Sequence, residues 1–180
     1  MPARDAPSGP ARRIDGYLSA TENAAKGDAM HAPDKIKVTG LADYLNVMTR
    51  AAFQSGLSWE VVERKWPGFM EAFDGFDPER VAAYTPPDID RLMEDTRIVR
   101  NRKKVEATVY NAGELIATDR EFGGFKKYLR SFPDYDSLAK ALRKRFKFLG
   151  DTGTYYFLYV VGEKVPEHEE WAKTHGIPLR

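Results

Sequence analysis

The chain of 180 residues contains no cysteine, which removes disulfide cross-links, thiolate metal ligands and a cysteine nucleophile. Histidine is scarce, with three residues, so imidazole chemistry has few places to reside. No charge of one sign dominates: 28 Lys and Arg face 27 Asp and Glu, for a formal net charge of +1. No global field therefore draws the molecule to nucleic acid or to a membrane surface, and nucleic-acid binding must rest on local patches. Long apolar runs are missing too. Nothing approaches the ~20 residues of a membrane span, and the first 30 residues lack the apolar core, roughly 7 to 15 residues long, of a secretion signal. These absences lead to an expectation of a cytoplasmic protein with no membrane partner.

What is present suits one globular domain: 42% hydrophobic and 12% aromatic residues over a length too short for two full domains. Residues 1–35 are rich in Ala, Pro, Gly and Asp, with few large apolar side chains, and read as a loosely ordered arm; Tyr17 and Leu18 could dock a short helix from it. Residues 36–180 read as a single helical domain. From Thr39 or Gly40, Leu41, Tyr44, Leu45, Met48 and Ala52 recur at helical spacing as far as Gly56. A second helix begins at Ser58 as N-cap and carries Val61, Val62, Lys65, Phe69 and Phe73, with Pro67 expected to kink or split it. Asp77-Pro78 and Pro87-Asp88 open two short helices. A long one is expected over about Arg100 to Thr118, with Val105, Thr108, Val109, Ala112 and Ile116 inward. Further helices are predicted near Gly124 to Arg130, Tyr135 to Arg145 and Tyr155 to Val161. The last of these, rich in aromatic and β-branched residues, is also compatible with a buried strand, but nothing else supplies a sheet partner. The reading is all-α.

Three clusters offer chemistry. At Phe148-Leu149-Gly150-Asp151, Gly150 can adopt positive φ without cost and Asp151 or Thr152 can cap the next helix. The amides of residues 150–154 then point outward at a helix N-terminus, a good place for phosphate. Lys140, Arg143, Lys144, Arg145 and Lys147 precede it, a plausible clamp on a phosphate backbone, although Asp151 would repel the same anion. An ordinary capped hairpin with a solvated basic face fits equally. The run from Arg97 to Lys104 places cations at a helix N-terminus, against the macrodipole, which makes sense if an anion sits there and is tolerable if none does. Lys103 or Lys104 could act as an amine nucleophile, but phosphate contact or solvation is the simpler role for both. Finally, Gln54-Ser55-Gly56-Leu57-Ser58-Trp59 puts an apolar residue and an indole on a glycine-supported loop. They can serve as a wedge between bases and a stacking platform, or as core.

In chain order, Gln54 to Trp59, Phe76-Asp77-Pro78 with Val81-Ala82, Ile98 to Arg102 with Lys104, Asn111-Ala112, Gly123-Gly124-Phe125 with Tyr128-Leu129 and Ser131-Phe132, and Phe146 to Gly150 resemble the 3-methyladenine DNA glycosylase I family, a branch of the helix-hairpin-helix glycosylases. The resemblance runs from about Gly40 to His168. It implies a helix-hairpin-helix glycosylase-like helical bundle, acting on double-stranded DNA as a monomer without a cofactor. Such an enzyme flips a damaged purine from the duplex and hydrolyses its N-glycosidic bond in base excision repair, as a monofunctional hydrolase. It further implies DNA contacts from Gly56, Leu57 and Ser58 of the wedge loop and from Lys147, Gly150, Thr152 and Gly153 of the hairpin. Base contacts would come from Trp59, Gln54 and Tyr44, the last with Tyr17 a candidate for pocket aromatics that the family carries near its N-terminus.

The chain departs from the family in several places. Where family members tie their termini with a zinc site of two Cys and two His, this chain has no Cys, and His31, His168 and His175 form no such set; zinc is not expected. The family's base-reading Glu, three residues before the Gln of the wedge motif, is Ala51 here, and Arg97 stands where the family has Gly. Glu167 lies where the family has an Asp and is the candidate acid for stabilising an oxocarbenium ion or activating water, although Glu163, Glu167, Glu169 and Glu170 also read as a solvated charge run. Asp43 and Glu60 are further acids near the recognition loop. The alternative is a non-catalytic DNA-binding relative that keeps the hairpin and has lost base excision. A glycosylase with a different substrate would also accommodate Ala51.

Overall fold

A computed structural model describes residues 33–176; the expectations for Tyr17, Leu18 and most of the arm lie outside this span. The described residues are helical, with no strand among them. The helices are α1 (Leu41–Gln54), α2 (Trp59–Ala72), α3 (Pro78–Ala82), α4 (Pro86–Glu94), α5 (Arg102–Phe122), α6 (Phe125–Leu129), α7 (Tyr135–Arg145), α8 (Asp151–Val160) and α9 (His168–Thr174), with a 3₁₀ turn at Asp74–Phe76. The apolar run in the last quarter is therefore helix. It satisfies its backbone internally and needs no sheet neighbour.

The cause of each start is local. Asp43 caps the start of α1, accepting from the Gly40 N–H at 3.3 Å and from the Thr39 N–H and hydroxyl at 2.6 and 2.8 Å. The Asp77 carboxylate accepts from the Glu79 amide ahead of α3, and Thr85 with Asp88 caps α4. The Asn101 side chain accepts from the Lys104 amide to begin α5, and Gly123 ends it at φ 65°, where a side chain would be strained. Pro67 does not split α2, which continues as one helix to Ala72. A single missing amide costs one hydrogen bond, while Val62, Trp66 and Phe69 on the same face are buried and hold the helix together.

Helix α1 is the centre of the molecule. Every residue from Tyr44 to Gln54 is buried, because α8, α5 and α2 surround it. Beside it Trp66, Phe69, Phe73 and Phe76 form a stack with ring centroids 4.8 to 6.1 Å apart. The Trp66 indole N–H donates to Asn46 Oδ1 at 3.0 Å, so this polar handle is satisfied within the core. Arg97 fits its turn at negative φ, held by Asp95 and Glu71, and no glycine is needed there.

Helix α9 lies in the stretch read as a solvated charge run. Its acids are a cap and a first turn: Glu167 accepts from the Glu170 amide at 3.0 Å, and Glu169 and Glu170 follow at the positive end of the dipole. The buried Trp171 anchors it by stacking on Tyr155 at 4.1 Å.

Candidate functional site

Two concavities meet on one side of the bundle. The first, about 450 Å³, is walled by Ala51 and Gln54 of α1, the loop at Ser55 and Gly56, Trp59, and the start of α8 with Phe148 and Tyr156. The second, about 480 Å³, is lined by Tyr110 and the hairpin from Arg143 to Gly150. Phe148 and Gly150 belong to both.

Trp59 stands 42% exposed at the first cleft, with its indole edge-on to Tyr156 at 5.5 Å and 89°. Tyr156 supports the indole from one side and leaves area free for a planar ligand. Ser58 is the N-cap of α2 by position, but its side chain makes no capping bond. Gly56 has φ 72°, the left-handed conformation that turns the chain between α1 and α2. Leu57 beside it is half-buried against the core.

Lys104, considered above for phosphate contact, solvation or nucleophilic chemistry, instead lies inside the molecule at 5% exposure. Its ammonium donates to the carbonyl of Phe53 at 3.3 Å and to that of Ser55, the unsatisfied end of α1. Burial lowers its pKa. Its role is to fix the wedge loop, through contacts 49 and 51 residues apart in sequence. Two neighbouring cations are paired on the surface: Arg97 with Glu71 and Asp95, and Arg102 with Asp90 and Glu106. For Arg97, Arg102 and Lys104 these protein partners account for the charge, while Arg100 and Lys103 are exposed.

The hairpin differs in detail from the sequence reading. Gly150 is extended at φ −82° and is itself the N-cap of α8; the positive φ falls on Phe148, at 57°. No side chain caps α8, and its backbone bonding opens with the Thr154 amide to the Gly150 carbonyl at 2.9 Å. The amides of residues 151–153 thus face outward with the dipole's positive end behind them. Asp151 occupies the first helical position, and its carboxylate is engaged by Arg143 and so partly neutralised. Lys147 holds its ammonium 4.0 Å from the ring centre of Tyr110, at the rim of the second concavity. Arg145 also lines the second concavity, with its guanidinium bonded to Thr118 and Glu121 and lying over Tyr128.

The structure thus brings Gln54, Gly56, Trp59, Gly150, Thr152 and Gly153 to one cleft, with Lys147 at its neighbour. It does not bring Tyr44 or Glu167 there. Tyr44 is 4% exposed, packed edge-on to Phe125 at 4.8 Å and tilted against Phe157, because it falls on the face of α1 that meets the core. Glu167 is exposed and committed to capping α9, and the amides of Glu170 and Glu169 hold its carboxyl below the usual range.

The profile of the methyladenine glycosylase family matches residues 41–137. The DNA-3-methyladenine glycosylase of Haemophilus influenzae is 36% identical over 130 residues, 61% of this chain and 70% of that protein. DNA-3-methyladenine glycosylase 1 of Escherichia coli is 33% identical over the same shares. Among solved structures, a crystal structure of 3-methyladenine DNA glycosylase I superposes with a TM-score of 0.62 at 31% identity, covering 70% of this chain and 81% of the other. The Staphylococcus aureus enzyme, whose structure addresses 3-methyladenine recognition, gives a TM-score of 0.62 at 31% identity over 70% and 78%.

Proposed function

The chain belongs to the methyladenine glycosylase family, and from that premise we propose that it hydrolyses the N-glycosidic bond of an alkylated, 3-methyladenine-like purine flipped out of duplex DNA. The observation that carries this reading is the shared wall at Phe148 and Gly150. A helix N-terminus suited to phosphate stands beside a cleft whose exposed face is an indole, so one nucleotide can be held by its backbone while its base stacks on Trp59.

An alkylated purine carries positive charge and leaves readily, so the protein's main tasks are extrusion and a pocket that favours the cationic base. Trp59 offers its π face to that cation. Leu57 fills the gap left in the duplex, with Gly56 and Ser58 shaping the loop. Lys147, Gly150, Thr152 and Gly153 contact the backbone. No step is assigned to Glu167, whose carboxylate caps a helix away from the cleft. The partner is double-stranded DNA carrying a damaged purine, and the enzyme acts as a cytoplasmic monomer without a cofactor.

The test is incubation with DNA carrying radiolabelled methyl groups, followed by chromatography of the released bases. Wild type is expected to release 3-methyladenine and Trp59→Ala to release little. No release of any methylated base, with duplex binding intact, would replace this reading with a DNA-binding relative that has lost base excision.

A further inference from the structure

Beneath the cleft lies a polar network that base stacking and backbone contact do not use. Arg50 is 3% exposed within α1, with its guanidinium 4.6 Å over the Trp66 ring and its Nη1 donating to Glu63 Oε2 at 3.0 Å. The other oxygen of Glu63 accepts from Gln54 Nε2 at 2.9 Å. Gln54 lines the cleft at 4% exposure, and its own Oε1 is buried with no hydrogen-bond partner among the described residues. Ala51, one turn earlier, adds only a methyl group to the same wall, so Gln54 is the polar group that α1 offers the cleft.

The orientation of the Gln54 amide follows from chemistry. An ionised carboxylate only accepts hydrogen bonds, so the amide nitrogen must face Glu63 and the oxygen must face away from it. The Glu63 pKa is raised by burial, against the opposing pull of Arg50 and the Gln54 donor, and the observed contact is from the amide nitrogen to the carboxylate. The spacing is helical at both ends: Arg50 and Gln54 are four apart on α1, and Trp59 and Glu63 are four apart on α2. The same face of α2 thus carries the stacking ring and the group that sets the amide. A buried acceptor without a partner calls for an explanation, and a ligand with an N–H to give supplies one.

We propose that Arg50 and Glu63 are positioning residues that lock Gln54 as a hydrogen-bond acceptor, so that the cleft selects purines presenting an N–H donor, such as an exocyclic amino group, over their oxo counterparts. This rests on the base-release reading, which supplies the purine. The selectivity arises because an oxo group would set one acceptor against another, and the amide cannot turn over to donate while Glu63 holds its nitrogen.

The experiment is isothermal titration of the full chain with free 3-methyladenine and free 3-methylhypoxanthine, for wild type, Gln54→Leu and Glu63→Gln, with thermal melts of each. Wild type is expected to prefer 3-methyladenine by about tenfold or more, the scale of one hydrogen bond made against one lost. Gln54→Leu loses about tenfold in affinity for 3-methyladenine and little for the oxo base. Glu63→Gln, which both donates and accepts, frees the amide to turn and narrows the preference to about threefold or less. A merely structural role for Glu63 would lower both affinities together and leave that ratio unmoved. An unchanged ratio in Glu63→Gln, or unchanged 3-methyladenine affinity in Gln54→Leu, overturns the proposal while the base-release reading stands. If wild type binds neither base, the proposal falls, and release of methylated bases from DNA alone decides the reading beneath it.

Discussion

Asn111 holds Lys147 by both ends of its peptide backbone: the side-chain Oδ1 accepts from the Lys147 N–H at 2.8 Å, and Nδ2 donates to the Lys147 carbonyl at 3.0 Å. This clasp joins the middle of α5 to the hairpin, from a side chain only 2% exposed. Asn111→Leu leaves the two part-buried backbone groups of Lys147 without this partner. It is expected to destabilise the fold by about 2 to 4 kcal/mol, measured by urea unfolding, and to weaken duplex binding further by loosening the hairpin.

A second prediction concerns Gly68, inside α2. A Cβ built there would sit 2.6 Å from Arg97 Cβ and 2.7 Å from the Arg97 carbonyl oxygen. Helix propensity alone would make Gly68→Ala stabilising by about 1 kcal/mol. The contact includes backbone, which cannot swing aside, and the Arg97 side chain is tied to Asp95 and Glu71. The clash wins, and a net loss of about 1 to 3 kcal/mol is expected in the same assay.

The hairpin's cation gives a prediction in salt. Lys147→Ala removes one charge from the concavity beside the α8 amides. Its duplex affinity is expected to fall for any sequence, and the slope of log affinity against log salt to shrink in magnitude by about one. Fluorescence anisotropy over a salt series measures both. An unchanged slope would remove Lys147 from the phosphate contact.

The alkaline limit of stability follows from buried phenols. Burial pushes the Tyr135 hydroxyl up to about 12, from 10.0, and also raises Tyr44, Tyr84 and Tyr128. Each folded pKa lies above its unfolded value, so above pH 10 the unfolded chain has given up protons that the folded chain keeps. The stabilisation is complete below about pH 10 and is lost as pH rises through about 12. Chemical denaturation between pH 9 and 12 is expected to show falling stability, with a shallower fall for Tyr135→Phe.

Much of the scaffold is legible in the sequence, because its signals are local. The Asp77-Pro78 start and the run from Tyr135 to Arg145 form helices where capping and periodicity place them. The loop from Gln54 to Trp59 falls into place as well, since a glycine between two amphipathic periods leaves few alternatives. What the sequence conceals depends on contacts between distant residues. Lys104 reads as one more cation in a basic run until α1's terminal carbonyls are seen above it. Glu63 looks like a surface acid on α2 until Arg50 and Gln54 meet it. Family resemblance points Tyr44 to the pocket, whereas its helical phase puts it in the core. The α9 acids have a local signal, a Glu after Pro166 with two more in the next turn, but it resembles a solvated run until Trp171 is seen against Tyr155.

Phe148 and Gly150 wall both concavities, so on the proposed function this one turn would space the phosphate held at the α8 amides from the base stacked on Trp59. The turn would then act as a caliper, with its span in the chain between Lys147 and Asp151. Lengthening that stretch by one residue would change which nucleotide is presented rather than how tightly the strand is held. On that reading, register along the DNA would follow turn length, separately from the charge at Lys147 and the ring at Trp59.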